Sequence, residues 1–290
     1  MTSIREARGA DFSRVYPLLL EFKNPNLTQD HWQQLFVDHS GLQDDRFGWM
    51  LLDGDQVVGF MATTFSERIF RGARHRLCNM SNWIVKNEHR GQSLALFAKV
   101  LAAPDMAVTN LSPTPQVLKV CEKMGFTVMD KSERILLPTL TLRTLHGGAK
   151  LLLRPSEIEG ALSGENLRIF RDHQLPYNRH ALLRAQEGDC YLMMNRSPKN
   201  VPGGLRLPFA RVHHVSAPAI FARHVEEFVV RVLASLRAVA MIVDERVLCG
   251  RVPRCSFTRP GGKHQAAFRS KTLTPDDIDG LYTEAVLLNY

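Results

Sequence analysis

The chain has 290 residues, enough for one large domain or two ordinary ones, and 44% hydrophobic residues with 23% charged ones is the balance of a packed globular protein. Lys and Arg exceed Asp and Glu by 8. Residues 1–140 hold 16 basic and 15 acidic residues, so the excess lies almost wholly in the second half. No apolar run approaches the roughly 18 residues of a membrane span, and Met-Thr-Ser-Ile-Arg-Glu lacks the apolar core of a secretory signal. These features are those expected of a soluble cytoplasmic protein.

In chain order, Ile4 to Arg8 reads as a strand, and Asp11 to Phe22 and Thr28 to His39 read as helices with Asp11 and Thr28 as N-caps. Trp49 to Ser66 reads as a hairpin turning at Asp53-Gly54-Asp55. Arg76 to Val85 is strand-like, and Leu94, Leu96, Phe97, Val100 and Leu101 then recur at helical spacing. The junction between them, Val85 to Ala95, is therefore a strand running through a turn into a helix, whose first N–H groups can receive a phosphate. Met106 to Leu111 follows as a strand, Pro115 to Met124 as a helix ended by Gly125, and Phe126 to Leu137 as closing strands.

A Gly147-Gly148 break separates this half, residues 1–140, from a second at 150–290. Helices are expected near Ser156 to Leu162 and Gly164 to Asp172, and strands at Ala181 to Arg184, Cys190 to Asn195 and Ala210 to Val215. Pro218 to Arg237 is an amphipathic helix with Phe221, Val225, Phe228, Val229, Val232 and Leu236 on one face, followed by a strand at Val239 to Val243. Strand, helix and parallel strand in 210–243 repeat the order of 76–111, which suggests two copies of one architecture. The second junction, Val215-Ser-Ala-Pro218, starts its helix with a proline that donates no N–H, so only the first copy is fitted for a phosphate.

Five cysteines form no Cys-x-x-Cys pair, and Cys249 and Cys255 have no histidine between them, so neither a disulfide framework nor a structural metal site is expected. Arg251, Arg254, Arg259, Lys263, His264, Arg269 and Lys271 cluster in a Gly/Pro-containing stretch, which reads as a solvated loop or a dock for an acidic partner. No aromatic-and-basic pattern of a nucleic-acid-binding module accompanies it.

Arg90-Gly91-Gln92-Ser93-Leu94-Ala95 resembles the Arg/Gln-x-x-Gly-x-Gly/Ala motif of the GCN5-related N-acetyltransferase (GNAT) superfamily, and Cys121-Glu-Lys-Met-Gly-Phe126 resembles the family's later Tyr-Glu-Lys-x-Gly-Phe. The resemblance covers residues 3 to 138. It implies an α/β (α+β) fold, with a mixed, mostly antiparallel twisted sheet flanked by helices, here as two GNAT-like halves in tandem, the second degenerate.

By the same resemblance the chain is an acyl-CoA N-acyltransferase with acetyl-CoA as the default donor and a primary amine of a small molecule or sugar as acceptor. Arg90, Gly91, Gln92, Ser93, Leu94 and Ala95 would hold the pyrophosphate, Trp83, Ile84 and Val85 would line the pantetheine, and Asn110 and Ser112 would face it from the next strand. Ser93 stands where the family has glycine; it keeps the amide and adds a hydroxyl. Histone-type members carry a base glutamate six residues before the valine equivalent to Val85, which here is Asn79. An amide cannot take a proton, so Asn79 would orient water or substrate, or satisfy strand-edge groups.

Cys121 stands where many members have the tyrosine that protonates the leaving sulfur. Its thiol is a possible acid, and equally a small core residue. Glu67 and His75 are other candidate bases near strand ends. Two competing readings follow from these departures: a catalytically silent GNAT-like binding protein, and a long-chain acyltransferase served by an acyl-carrier protein docked on the basic half.

Overall fold

The computed structural model describes residues 2–289 apart from Pro104, Leu142, Arg143, Leu145, His146 and Pro202, and describes only the backbone of Asp130 and of residues 260–264. Two compact units share the chain. The first holds residues 2–129 and 265–288, and the second holds 130–264.

In the first unit β1 (Thr2–Ala7), β2 (Gly48–Asp53), β3 (Gln56–Phe70) and β4 (Ala73–Val85) form an antiparallel run in that order. β5 (Met106–Asn110) adds to β4 in parallel, after a helical crossover. α1 (Phe12–Leu19) and the short α2 (Gln29–Gln33) precede β2, α3 (Ser93–Leu101) joins β4 to β5, and α4 (Pro115–Lys123) follows β5.

The apolar stripe of α3 explains its docking. Leu96, Phe97 and Val100 pack with Leu118 and Cys121 of α4 onto Met61, Cys78, Met80 and Val108 of the sheet. A fully buried Phe97 contributes about 2–3 kcal/mol of apolar transfer free energy. Gly48 opens β2 at φ 152°, where a Cβ would lie 2.2 Å from the Met61 carbonyl, so the hairpin can close only with glycine there.

Thr28 caps α2, accepting the His31 N–H. Asp11 does not cap α1; its carboxylate instead takes the Arg8 N–H at 3.0 Å and a two-pronged bond from Arg5, closing a 3-10 turn ahead of the helix. The helix expected over 28–39 is one and a half turns followed by a 3-10 turn at Gln34–Phe36.

The second unit orders its strands β6 (Thr127–Leu136), β11 (Ala240–Asp244), β10 (Arg206–Val215), β9 (Gly188–Asn200), β8 (Asn178–Ala185) and β7 (Lys150–Leu152), with β10 and β11 parallel and the other pairs antiparallel. α5 (Pro155–Ala161) and α6 (Gly164–Asp172) precede β8, and α7 (Pro218–Leu236) makes the crossover from β10 to β11. Phe221, Val225, Phe228, Val229 and Val232 of α7 fill the core against Leu183, Leu192, Met194, Ala210 and Met241. Each unit is thus an α/β body built on a mixed, mostly antiparallel sheet, with four antiparallel strands leading to a helical crossover and a parallel strand.

β12 (Ser256–Arg269) and the four-residue α8 (Glu284–Leu287) were not foreseen from the sequence. The chain re-enters the first unit at Gln265, where Ala267, Phe268 and Arg269 pair antiparallel with Asn110, Thr109 and Val108. No described helix is long and apolar enough to cross a membrane.

Candidate functional site: a cleft beside a bulged strand

β4 and β5 are paired only from Arg76–Met106 to Asn79–Thr109; beyond that β4 runs on for six residues while β5 ends at Asn110. Parallel strands that stop pairing leave a wedge, and here the wedge is a cavity of about 250 Å³. Met80, Ser81, Asn82 and Trp83 line one wall, and Asn110, Ser112, Pro113 and Thr114 line the other. Phe22 and Trp32, whose rings stack at 5.8 Å, line it from the α1–α2 segment.

The β4 wall is irregular for a specific reason. Phe60 pairs with Ile84 and Ala62 with Ser81, so Met61 alone faces both Asn82 and Trp83, a β-bulge. Asn82 takes up the extra residue at φ 47°, a left-handed conformation that asparagine tolerates better than most side chains. The residues of the bulge, Ser81 to Trp83, line the cavity. Ser81 Oγ, Asn82 Oδ1 and Trp83 Nε1 are shielded from water and have no hydrogen-bond partner. Three buried polar atoms without a partner thus fall on one stretch of strand whose residues line the cavity.

Of the residues read from the sequence, Trp83, Asn110 and Ser112 come together on this cavity. Ile84 and Val85 continue β4 in register with Phe60 and Gly59. Asn87–Gln92 is a 3-10 turn that runs directly into α3, so Arg90, Gly91, Gln92, Ser93, Leu94 and Ala95 form its entry and are not among the cavity's lining residues. Arg90, Gly91, Leu94 and Ala95 are exposed. A Cβ on Gly91 would meet nothing within 4 Å, so nothing inside the fold demands glycine there and the backbone stands open to an outside group.

Asn79 and Cys121 lie elsewhere. Asn79 is buried one step behind the cavity; its Nδ2 donates to Glu284 Oε2 at 2.8 Å and its Oδ1 accepts from Thr109 Oγ1 at 3.1 Å. Cys121 is fully buried in the α3–α4 core, off the cavity, and burial pushes its thiol up to about 11. Its neighbours there are those of a packed core residue. Glu67 forms an exposed ion pair with Arg74 at 2.9 Å, and His75 reaches Thr272 Oγ1 at 3.3 Å, both away from the cavity.

The basic stretch is dispersed. Arg251 pairs with Glu226 and Arg259 with Glu133 in the second unit, whereas Lys271 lies 3.7 Å from Asp105 in the first. The Lys263 and His264 side chains lie outside the described residues. Among the described residues no group of three or more His, Cys, Asp or Glu side chains is arranged to hold a metal ion.

No family model matches the chain, and no curated protein matches it by sequence. Solved structures do. A GCN5-related N-acetyltransferase from Anabaena variabilis superposes with a TM-score of 0.58 at 14% identity, over 93% of this chain and 72% of that one. Another GCN5-related N-acetyltransferase, from Kribbella flavida, gives 0.58 at 14% identity over 93% and 71%. Saccharomyces cerevisiae N-myristoyltransferase with bound myristoyl-CoA gives 0.52 at 10% identity over 97% and 83%. Strand order, the helical crossover and this likeness across nearly the whole chain agree: the chain has the fold of the GNAT superfamily, in two GNAT-like halves.

Proposed function

We propose that the chain is an acyl-CoA-dependent N-acyltransferase that moves an acetyl group to a primary amine of a small molecule or sugar. The observation that carries this reading is the bulged β4 wall, whose residues Ser81, Asn82 and Trp83 line a cavity at the point where β4 and β5 part. Acyl-CoA supplies an activated thioester; everything else falls to the chain's own residues. The turn from Gly91 to Ala95, at the start of α3, would take the pyrophosphate, helped by the Ser93 hydroxyl and the Arg90 guanidinium. Trp83 to Val85 would pair with the pantetheine amides, while Asn110 and Ser112 close the opposite wall.

A backbone amide near Asn82 would donate to the thioester carbonyl, since the bulge interrupts the regular ladder there. The cavity, at about 250 Å³, falls just under the range of pockets for drug-sized ligands, which favours a short acyl group and a small acceptor. The engagement of Arg251 and Arg259 with Glu226 and Glu133 leaves less free charge for a carrier protein than the sequence alone suggests.

Isothermal titration with acetyl-CoA, followed by thiol-release assays on a panel of amines, tests the reading. Saturable binding and turnover with at least one amine are expected. Failure of acetyl-CoA, longer acyl-CoAs and acyl-carrier protein alike to bind would overturn it, and tight binding without turnover on any amine would leave a silent binding protein.

A further inference from the structure

A carboxylate sits directly behind the cavity wall, brought there by the last residues of the chain. Glu284 is 1% exposed. Its Oε2 accepts from Asn79 Nδ2, and its Oε1 accepts a short hydrogen bond from Ser112 Oγ. Ser112 is itself exposed and lines the cavity. A buried charge is retained only where donors hold it, and here both donors are neutral side chains that leave the carboxylate able to take a proton. Tyr282, two residues upstream, is buried at φ 53°, an unfavourable conformation for an aromatic residue that the surrounding packing must enforce to aim this segment inward.

We propose that Ser112 and Glu284 form the proton relay that neutralises the acceptor amine; the proposal rests on the acyltransferase reading and supplies the base that reading lacks. One proton of the bound ammonium passes to Ser112 Oγ as the hydroxyl's own proton passes to Glu284 Oε1. A cation and a carboxylate become a neutral amine and a neutral carboxyl, with no other reactant needed. The nitrogen lone pair then forms the C–N bond as the C–S bond breaks. The nitrogen's surplus proton goes to the departing sulfur, and Glu284 returns its proton to solvent through Ser112.

Asn79 and Thr109 are positioning residues: Thr109 holds the Asn79 carbonyl so that its amide points at Glu284. An asparagine where a base glutamate was sought is thereby accounted for, since the carboxylate comes from 205 positions further along the chain and the amide holds it. The charged and titratable groups on the packed elements are Arg68 of β3, paired at 2.9 Å with Asp279, and the Tyr282 phenol, which line a small void with Asn79 and Thr109. The 3-10 turn at Gln34–Phe36, which contacts α8, brings no titratable side chain.

The test compares Glu284→Gln, Ser112→Ala and the double variant in the full-length chain, with thermal melts to establish folding. Each single variant is expected to lower kcat by about 100-fold or more with little change in KM for acetyl-CoA, and the double variant to be no worse than either, since both cut one relay. Glu284→Asp should recover part of the loss. A folded Glu284→Gln or a folded Ser112→Ala within threefold of wild type in kcat overturns the relay. A wild type that binds no acyl-CoA overturns the acyltransferase reading, and the relay with it, which separates the two failures.

Discussion

Both units carry a bulge in the strand that leads into the crossover helix, and the two bulges are put to different ends. In β4 the extra residue is Asn82, and the strand continues to a cavity. In β10 the register slips between Val212 and His214, leaving His213 as the extra residue, and five positions later α7 has begun. Ser216 closes that second junction: its Oγ accepts the Tyr191 N–H at 2.8 Å, and its own N–H donates to the Tyr191 carbonyl at 2.9 Å. Pro218 then starts the helix without an N–H to offer. The same device thus borders an open cleft when the strand outruns its partner, and is sealed into the fold when the helix follows closely.

The largest effect expected from this contrast is on stability alone. Phe228 is fully buried in the α7 core, so Phe228→Ala should cost about 3–5 kcal/mol in a urea melt. Acetyl-CoA affinity of the folded variant should change less than twofold; a tenfold loss would mean that the second unit's core shapes the site. Next comes Asn82→Val. A β-branched residue resists φ 47°, so the bulge should rearrange, with stability falling about 1–3 kcal/mol and acetyl-CoA affinity at least tenfold, whereas Asn82→Gly should stay near wild type in both. Equal affinities for Asn82→Val and wild type would remove the bulge from the account.

A smaller effect follows from acid. Burial, reinforced by Arg211, Lys131, His173 and Lys199, drives His213 well below its ordinary value, and burial brings His180 down to about 4. The unfolded chain takes up protons on these histidines below about pH 6.5 while the folded one does not, so stability should fall as pH drops from 7 toward 4.5. The carboxylates of Asp11 and Asp44, held low in the first unit chiefly by hydrogen bonds from Arg5 and Arg46, lose their contribution only as pH falls below about 4. His213→Leu should therefore flatten the decline between pH 7 and 5, and an unchanged slope would show that His213 is not its source. Smallest is Cys121→Ala, where the buried thiol gives up about 1–2 kcal/mol of packing while turnover stays within twofold. Loss of turnover in a folded Cys121→Ala would restore the thiol as the acid.

Much of the scaffold was legible because it is repetitive and locally encoded. The apolar stripes of α3 and α7 repeat at helical spacing, the Asp53-Gly54-Asp55 turn marks its hairpin, and the strand-turn-helix order around Arg90 matches a known superfamily. The missing parts lack local signals. β12 contains Pro260-Gly261-Gly262 and charged residues on either side, a composition that reads as loop, and only Ala266, Ala267 and Phe268 are buried in its described portion. Glu284 stands alone in Thr-Glu-Ala-Val-Leu-Leu, and its role depends on a contact 172 positions away with Ser112. The one available hint was an acidic residue at the head of an apolar run that had to be buried somewhere. The bulge at Asn82 is a matter of register between strands, which no window along one strand reveals.

The central claim is that the wedge between β4 and β5 of the first unit receives an acyl-CoA. A crystal structure of the protein with acetyl-CoA tests it most directly. The pyrophosphate is expected at the turn from Gly91 to Ala95, the pantetheine along Trp83 to Val85, and the thioester carbonyl at the Asn82 bulge within reach of Ser112. Acetyl-CoA bound anywhere else, or a wedge still filled by solvent at saturating acetyl-CoA, would contradict it.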